Sequence, residues 1–217
     1  MIPALISVAF IWFVKERPPV ARGATSAMRW DFSTRYWVVL TLLTAFNLVN
    51  FSVGLIIVRV KELGLGTVEI FLIYALYNLC YAVLSYPAGR LSDRFPRRFV
   101  FATGMVLFAI AFFGFAFAHE AAWTWAFFAL FGAFMALTDG VGTAWISDLA
   151  PEERVGSALG VYYASAGFAT IAAGLWAGLL WGGNGFVPFT VAGTVAAALA
   201  AALLLLRDAD PSSSFER

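Results

Sequence analysis

The chain has one cysteine and one histidine in 217 residues, and only 12% of its residues are charged. The lone Cys80 excludes an internal disulfide and any cysteine-based metal site. It lies in an apolar run, where a thiol packs as a small hydrophobe. His119 stands beside Glu120 in a short polar turn and has no companion ligand, so no zinc pattern forms. Phosphate-cradling loops and nucleophile constellations are missing too. Nor do His, Asp and Glu cluster inside the apolar runs, which leaves a membrane-embedded enzyme without machinery. The expectation is a non-enzyme with no metal and no cofactor. Soluble domains carry roughly 25% charged and 45–50% apolar residues. Here the apolar share is 62% and the mean hydropathy +0.84. A formal net charge of +1 offers no field for nucleic acid. The lipid bilayer is the solvent.

Seven apolar runs follow one another: Ile2–Val14, Tyr36–Val58, Glu69–Ala88, Phe99–Ala118, Ala122–Ile146, Gly156–Trp181 and Phe186–Leu206. A spanning helix needs roughly 17–25 residues, and six of the runs qualify. The first reaches only about 20 Å. No basic residue precedes it and no small-residue cleavage site follows, so it does not read as a secretory signal. It reads as the end of a truncated helix, residues 1–14. Residues 15–35, with Pro18, Pro19 and Gly23, form a linker. A six-helix bundle is expected over 36–206, and a polar, disordered tail over 207–217.

Assigning the connections alternately puts Lys15, Arg17, Arg22, Arg29, Arg35, Arg90, Arg94, Arg97, Arg98, Arg154, Arg207 and Arg217 on one side. Only Arg59 and Lys61 fall on the other. Lysine and arginine concentrate on the cytoplasmic side, so an inner-membrane, multi-pass protein with a cytoplasmic C-terminus is expected. The connections at 119–121 and 182–185 are too short for an outer domain. Arg59, Lys61 and Glu62, also on the outer side, are expected to set a helix end. Trp37, Trp123, Trp125 and Trp181, near run ends, read as interfacial belts.

The connection at 89–98 reads Gly89-Arg90-Leu91-Ser92-Asp93-Arg94-Phe95-Pro96-Arg97-Arg98. It resembles the loop motif of the major facilitator superfamily, Gly-x-Leu-x-Asp-Arg-x-Gly-Arg-Arg, with Pro96 where the second glycine usually stands. Ser147 to Gly160 is similar to the connection between the tenth and eleventh helices of many bacterial members. The resemblance covers essentially the whole chain. It implies an all-α membrane fold, here the C-terminal six-helix half of a twelve-helix transporter, with the missing N-terminal half or a second copy as partner. In that family the motif gates a rocking motion, which gives Gly89, Asp93, Arg94, Arg97 and Arg98 a conformational role. Gly89 would end a helix where backbones pass closely. Asp93 would meet the N-terminus of a neighbouring helix or its own loop's arginines, a contact worth roughly 0.3–1 kcal/mol. The bland alternative is a positive-inside anchor. Pro96 removes a donor and stiffens the turn.

Asp139 is the one acidic residue well inside an apolar run, about 10 Å from its cytoplasmic end. Intramembrane carboxylates cost roughly 2.5–3.5 kcal/mol on insertion scales and face a bundle interior or wet cavity. The resemblance implies that this helix and Tyr36–Val58 line the central cavity. Asp139 is therefore a candidate for proton coupling or substrate contact. Asn47 and Asn50, three apart, would share a helix face and with Thr138 and Thr143 offer polar contacts to a small-molecule substrate. An interhelical hydrogen-bond cluster is the plainer alternative. In the cytoplasmic turn, Asp148, Glu152, Glu153 and Arg154 around Pro151 suit either capping or gating. Small residues four apart, at Gly156–Gly160, Gly174–Gly178 and Gly132–Ala136–Gly140, are expected to pack helices closely.

These features point to a secondary active transporter working by alternating access, with proton-coupled export of small organic compounds as its finer expectation. A hydrophilic charged nutrient would ask for several buried charges, and one candidate is found. The alternative is a non-transporting membrane fragment, or an assembly or regulatory partner that needs a separate N-terminal half.

Overall fold

The computed structural model describes residues 31–205. The expected truncated helix at 1–14, most of the linker and the tail lie outside the described residues. Seven α-helices carry the described chain: α1 (Thr34–Asn47), α2 (Val53–Glu62), α3 (Thr67–Arg94), α4 (Arg97–Phe117), α5 (Trp123–Asp148), α6 (Val155–Leu179) and α7 (Phe186–Leu205). A 3-10 turn, Glu152–Arg154, precedes α6. Among the described residues there are no strands, and α3 to α7 are each long and apolar enough to cross a membrane. The all-α membrane bundle is as the sequence suggests.

The first expected span is broken. Its two pieces, of 14 and 10 residues, are about 21 and 15 Å long, and neither crosses alone. Hydrocarbon offers no water to the backbone, so a break survives only where protein satisfies the freed groups. Trp176 donates its indole N–H to the carbonyl of Leu48 at 2.7 Å. Ser52 caps α2 by accepting from the backbone N–H of Gly54 at 3.2 Å. Phe51 pins the break by burying its ring against Phe112, Trp176 and Phe189. Asn50 therefore sits in the break, not on the helix with Asn47.

The core lies around α4, whose neighbours are α5 and α7. Phenylalanines fill it: Phe108 stacks on Phe112 at 3.8 Å between centroids and meets Phe46 and Phe134 edge-on at 5.1 and 4.9 Å. Edge-to-face pairs suit the ring quadrupole. Arg59, only 7% exposed, holds α2 to the end of α4 by donating to the carbonyls of Phe115 and Ala118 at 3.1 and 2.8 Å. A cation on the terminal carbonyls complements the helix dipole. The expectation that Arg59 sets a helix end holds, although the helix is not its own. Glu62 accepts from the indole of Trp181 at 2.8 Å. On the opposite flank the Tyr36 hydroxyl donates to the carbonyl of Ala158 at 3.0 Å, and Thr44 meets Ser165 at 3.2 Å, joining α1 to α6.

The small-residue pairs divide. Gly132 is a close contact: a Cβ there would stand 2.6 Å from the carbonyl of Tyr77 and 2.9 Å from Cys80. At Gly140 a Cβ would meet nothing within 4 Å. The same holds at Gly156, Gly160, Gly174 and Gly178, so the expected glycine packing on α6 is not made among the described residues. The face of α6 that is buried carries Ala169, Ala173 and Ala177 instead.

Candidate functional site

The motif around Asp93 is mostly helix. α3 runs through Pro87, which leaves the carbonyl of Val83 without its helical partner, and continues two turns to Arg94. Only Phe95 and Pro96 separate it from α4. Pro96 disfavours helical backbone in the residue before it, and Phe95 is extended at φ −116°, ψ 151°. Gly89 accordingly lies inside a helix instead of ending one, and its Cβ position is open space. Among the described residues no backbone passes closely there.

Asp93 is exposed and has neither hydrogen bond nor ion pair among the described residues, so the contact expected of it is not formed. Arg97 makes the charged contact of this turn. Its Nε donates to Asp148 Oδ2 at 2.5 Å and its second terminal nitrogen to Oδ1 at 3.4 Å. Arg97 opens α4 and Asp148 closes α5, so each charge stands at the dipole end that disfavours it. Pairing them offsets both. Asp148 is half exposed, which limits the pair to about 1 kcal/mol. Arg98 lies over the ring of Phe99 at 4.5 Å, Arg94 is exposed at the end of α3, and Arg154 stands at the start of α6.

Deeper in the bundle, Asn47, Asn50, Thr138 and Asp139 line one small cavity of about 70 Å³, together with Phe46 and Tyr162. Four of the five candidate residues thus line one space. The broken α1–α2 run brings Asn50 there, since its backbone leaves the helix just past Asn47. Asn47 donates to the carbonyl of Leu43 at 2.8 Å and retains its amide oxygen for the cavity. Thr138 is buried and returns its hydroxyl to the carbonyl of Phe134 at 2.9 Å, which makes it a packing residue. Thr143 stands one turn beyond Asp139, bonded to the carbonyl of Asp139 at 3.2 Å and to the hydroxyl of Tyr163 at 3.0 Å. It does not line this cavity.

Asp139 also lines a second, larger space. A cleft of about 330 Å³ runs between α3 and α5 from Tyr81 and Asp139 to Asp93 and Arg97. Tyr81 donates its hydroxyl proton to Asp139 Oδ2 at 2.6 Å. Sequence reasoning missed Tyr81, Tyr162 and Tyr163. Tyr162–Tyr163 follows Gly160 by two residues on α6, and nothing in one sequence separates cavity tyrosines from packed ones. Among the described residues no group of three or more His, Cys, Asp or Glu side chains is placed to hold a metal.

A sequence model described as the Major Facilitator Superfamily matches residues 37–217. The chain belongs to this superfamily. An uncharacterized MFS-type transporter of Methanocaldococcus jannaschii is 33% identical over 179 residues, covering 79% of this chain and 45% of that protein. The chain thus spans less than half the length of this relative. In this bundle a carboxylate, two carboxamides and a broken helix stand around one cavity, a set of groups able to hydrogen-bond.

Proposed function

We propose that this chain is the C-terminal half of a secondary active transporter that moves a small organic compound by alternating access, with Asp139 as the proton-coupling group. The observation that carries the reading is the convergence of Asn47, Asn50 and Asp139 on one cavity inside a major facilitator bundle. Solutes bind near the membrane middle in this type of architecture, where interrupted helices present unpaired backbone and polar side chains. The break at residues 48–52 brings the side chain of Asn50 to such a place. A carboxylate between aromatic rings favours cationic or amine-bearing compounds, which fits export better than capture of an anionic nutrient. No reacting constellation accompanies the cavity, and transport without covalent change is the activity proposed. The protein sits in the inner membrane with the arginine-rich turn and C-terminus in the cytoplasm, in line with the bias of basic residues.

A half cavity needs a second wall. The apolar stretch of α3 is 11% buried and that of α6 17%, against 61% for α4. These two helices, with the unpacked glycines of α6, are the faces offered to an N-terminal half or a second copy.

Sealed vesicles containing the full-length protein test the reading. An imposed proton gradient, applied with a panel of hydrophobic amines and small metabolites, should drive at least one solute against its own gradient. Asn50→Leu should raise the concentration for half-maximal transport by about tenfold, as expected when a solute loses a hydrogen bond in a dry site. Failure of every solute on the panel to accumulate would overturn the proposal in favour of a non-transporting membrane partner.

A further inference from the structure

Among the described residues, Asp139 is the only acidic one that lines both the inner cavity and the α3–α5 cleft. The two spaces differ in chemistry. The inner one is small and lined mainly by rings and carboxamides, whereas the cleft is over four times larger and ends among Ser92, Asp93 and Arg97. Its α3 wall is a stripe, Tyr81, Ser85, Gly89 and Ser92–Asp93, spaced three to four residues apart and hence on one helix face. The stripe covers about 18 Å from the level of Tyr81 to that of Asp93. Its α5 wall is Ala136, Gly140 and Ala144, small residues four apart.

The cleft has a structural origin. α3 and α5 touch tightly at Gly132, against the carbonyl of Tyr77, and no side chain fills the gap at Gly140 two turns later. The helices therefore close at one end of their interface and stand open at the other. Polar walls and a volume of 330 Å³ give room for about ten waters at ~30 Å³ each.

We propose that the α3–α5 cleft is the route by which protons from the side of the Phe95–Pro96 turn reach Asp139, and that Tyr81 is the positioning residue that holds the carboxylate in it. This rests on the coupling role given to Asp139 above. Water in the cleft delivers a proton to the Asp139 carboxylate, forming a neutral carboxyl group, while Oδ2 keeps the hydrogen bond from Tyr81. Tyr81 lines only the cleft and Tyr162 only the inner cavity, so the Tyr81 bond turns the carboxylate towards the water. The other titratable groups facing Asp139 are Tyr77 on α3 and Tyr162 on α6, with Asp93 and Arg97 at the cleft mouth. The α1 side contributes Asn47 and Asn50, which do not titrate.

Two measurements on the full-length protein in membranes test this separately from transport itself. In a Cys80→Ala background, Gly140→Cys and Ala144→Cys should react with a membrane-impermeant thiol reagent added from the side of the turn. Ala109→Cys, buried in α4, should not react. If Phe95→Cys in the turn reacts and neither cleft position does, the cleft is not a water path and the inference falls, whatever Asp139 does. For Tyr81→Phe, the pH profile of gradient-driven transport should differ from that of the unmodified protein, because the Asp139 carboxylate loses its tyrosine donor. An unchanged pH profile would remove Tyr81 from the positioning role. Should Asp139→Asn leave gradient-driven transport intact while the cleft cysteines still react, the coupling reading fails and the water path stands.

Discussion

α3 and α4 are joined by two residues and are both apolar enough to span a membrane, yet they are built for opposite tasks. α4 is buried over most of its length by phenylalanines packed against α5 and α7, and a buried arginine caps its end. α3 leaves most of its surface uncovered, keeps a polar stripe towards α5, and touches that helix tightly at Gly132. In a bilayer there is no hydrophobic drive between helices, so stability comes from close packing and from satisfied polar groups. α4 supplies the packing and α3 supplies the space. An element that must move, or admit water, is drawn from the part of the structure with few buried contacts.

That contrast can be broken from both sides. Phe108→Ala removes a fully buried ring stacked on Phe112 and should cost about 3–5 kcal/mol, read as loss of folded protein in a thermal melt. Phe71→Ala, on an exposed part of α3, should cost within about 0.5 kcal/mol in the same melt. Equal losses would erase the distinction between the two helices. Arg59→Ala takes two charge-assisted hydrogen bonds from the end of α4 and should cost about 2–3 kcal/mol. Arg59→Lys should recover only part of this, since one ammonium does not match a guanidinium fork.

The α3–α5 interface gives a finer comparison. Gly132→Ala would place a Cβ 2.6 Å from a backbone carbonyl and should destabilise by about 1–3 kcal/mol. Gly140→Ala, facing open space, should stabilise by up to about 1 kcal/mol through helix propensity. Melting temperatures moving in opposite directions would verify that this interface closes at one end only. A small effect is also expected at Arg97→Gln. Its half-exposed partner Asp148 limits the loss to about 1 kcal/mol, and added salt should shrink the difference from the unmodified protein.

Much of this was legible in the sequence because bilayers impose long apolar runs and positively charged turns. The helices of α3 to α7 begin and end near the limits that the runs suggest, although α3 continues six residues past Ala88. Asn47, Asn50, Thr138 and Asp139 stood out because polar residues in apolar runs are costly, and they do share a cavity. The break at residues 48–52 was hidden by its own composition. Leu48, Val49 and Phe51 keep the run apolar, and its one local signal is Ser52 before Gly54, a capping pattern visible only once the helix is known to stop. Tyr81 could not be found at all, since its partner lies 58 residues away and tyrosine is ordinary in membrane helices. The glycines of α6 misled for the converse reason. Spacing marks a smooth face, and the face packed here is the alanine one.

The central claim is that Asp139 couples solute movement to protons, and one substitution addresses it directly. Asp139→Asn keeps the size and hydrogen-bonding reach of the side chain and removes its exchangeable proton. Solute accumulation under an imposed proton gradient should disappear in sealed vesicles made with the full-length Asn variant, and Asp139→Glu should restore part of it. Accumulation by the Asn variant at the unmodified rate would contradict the account, leaving Asp139 as a structural partner of Tyr81.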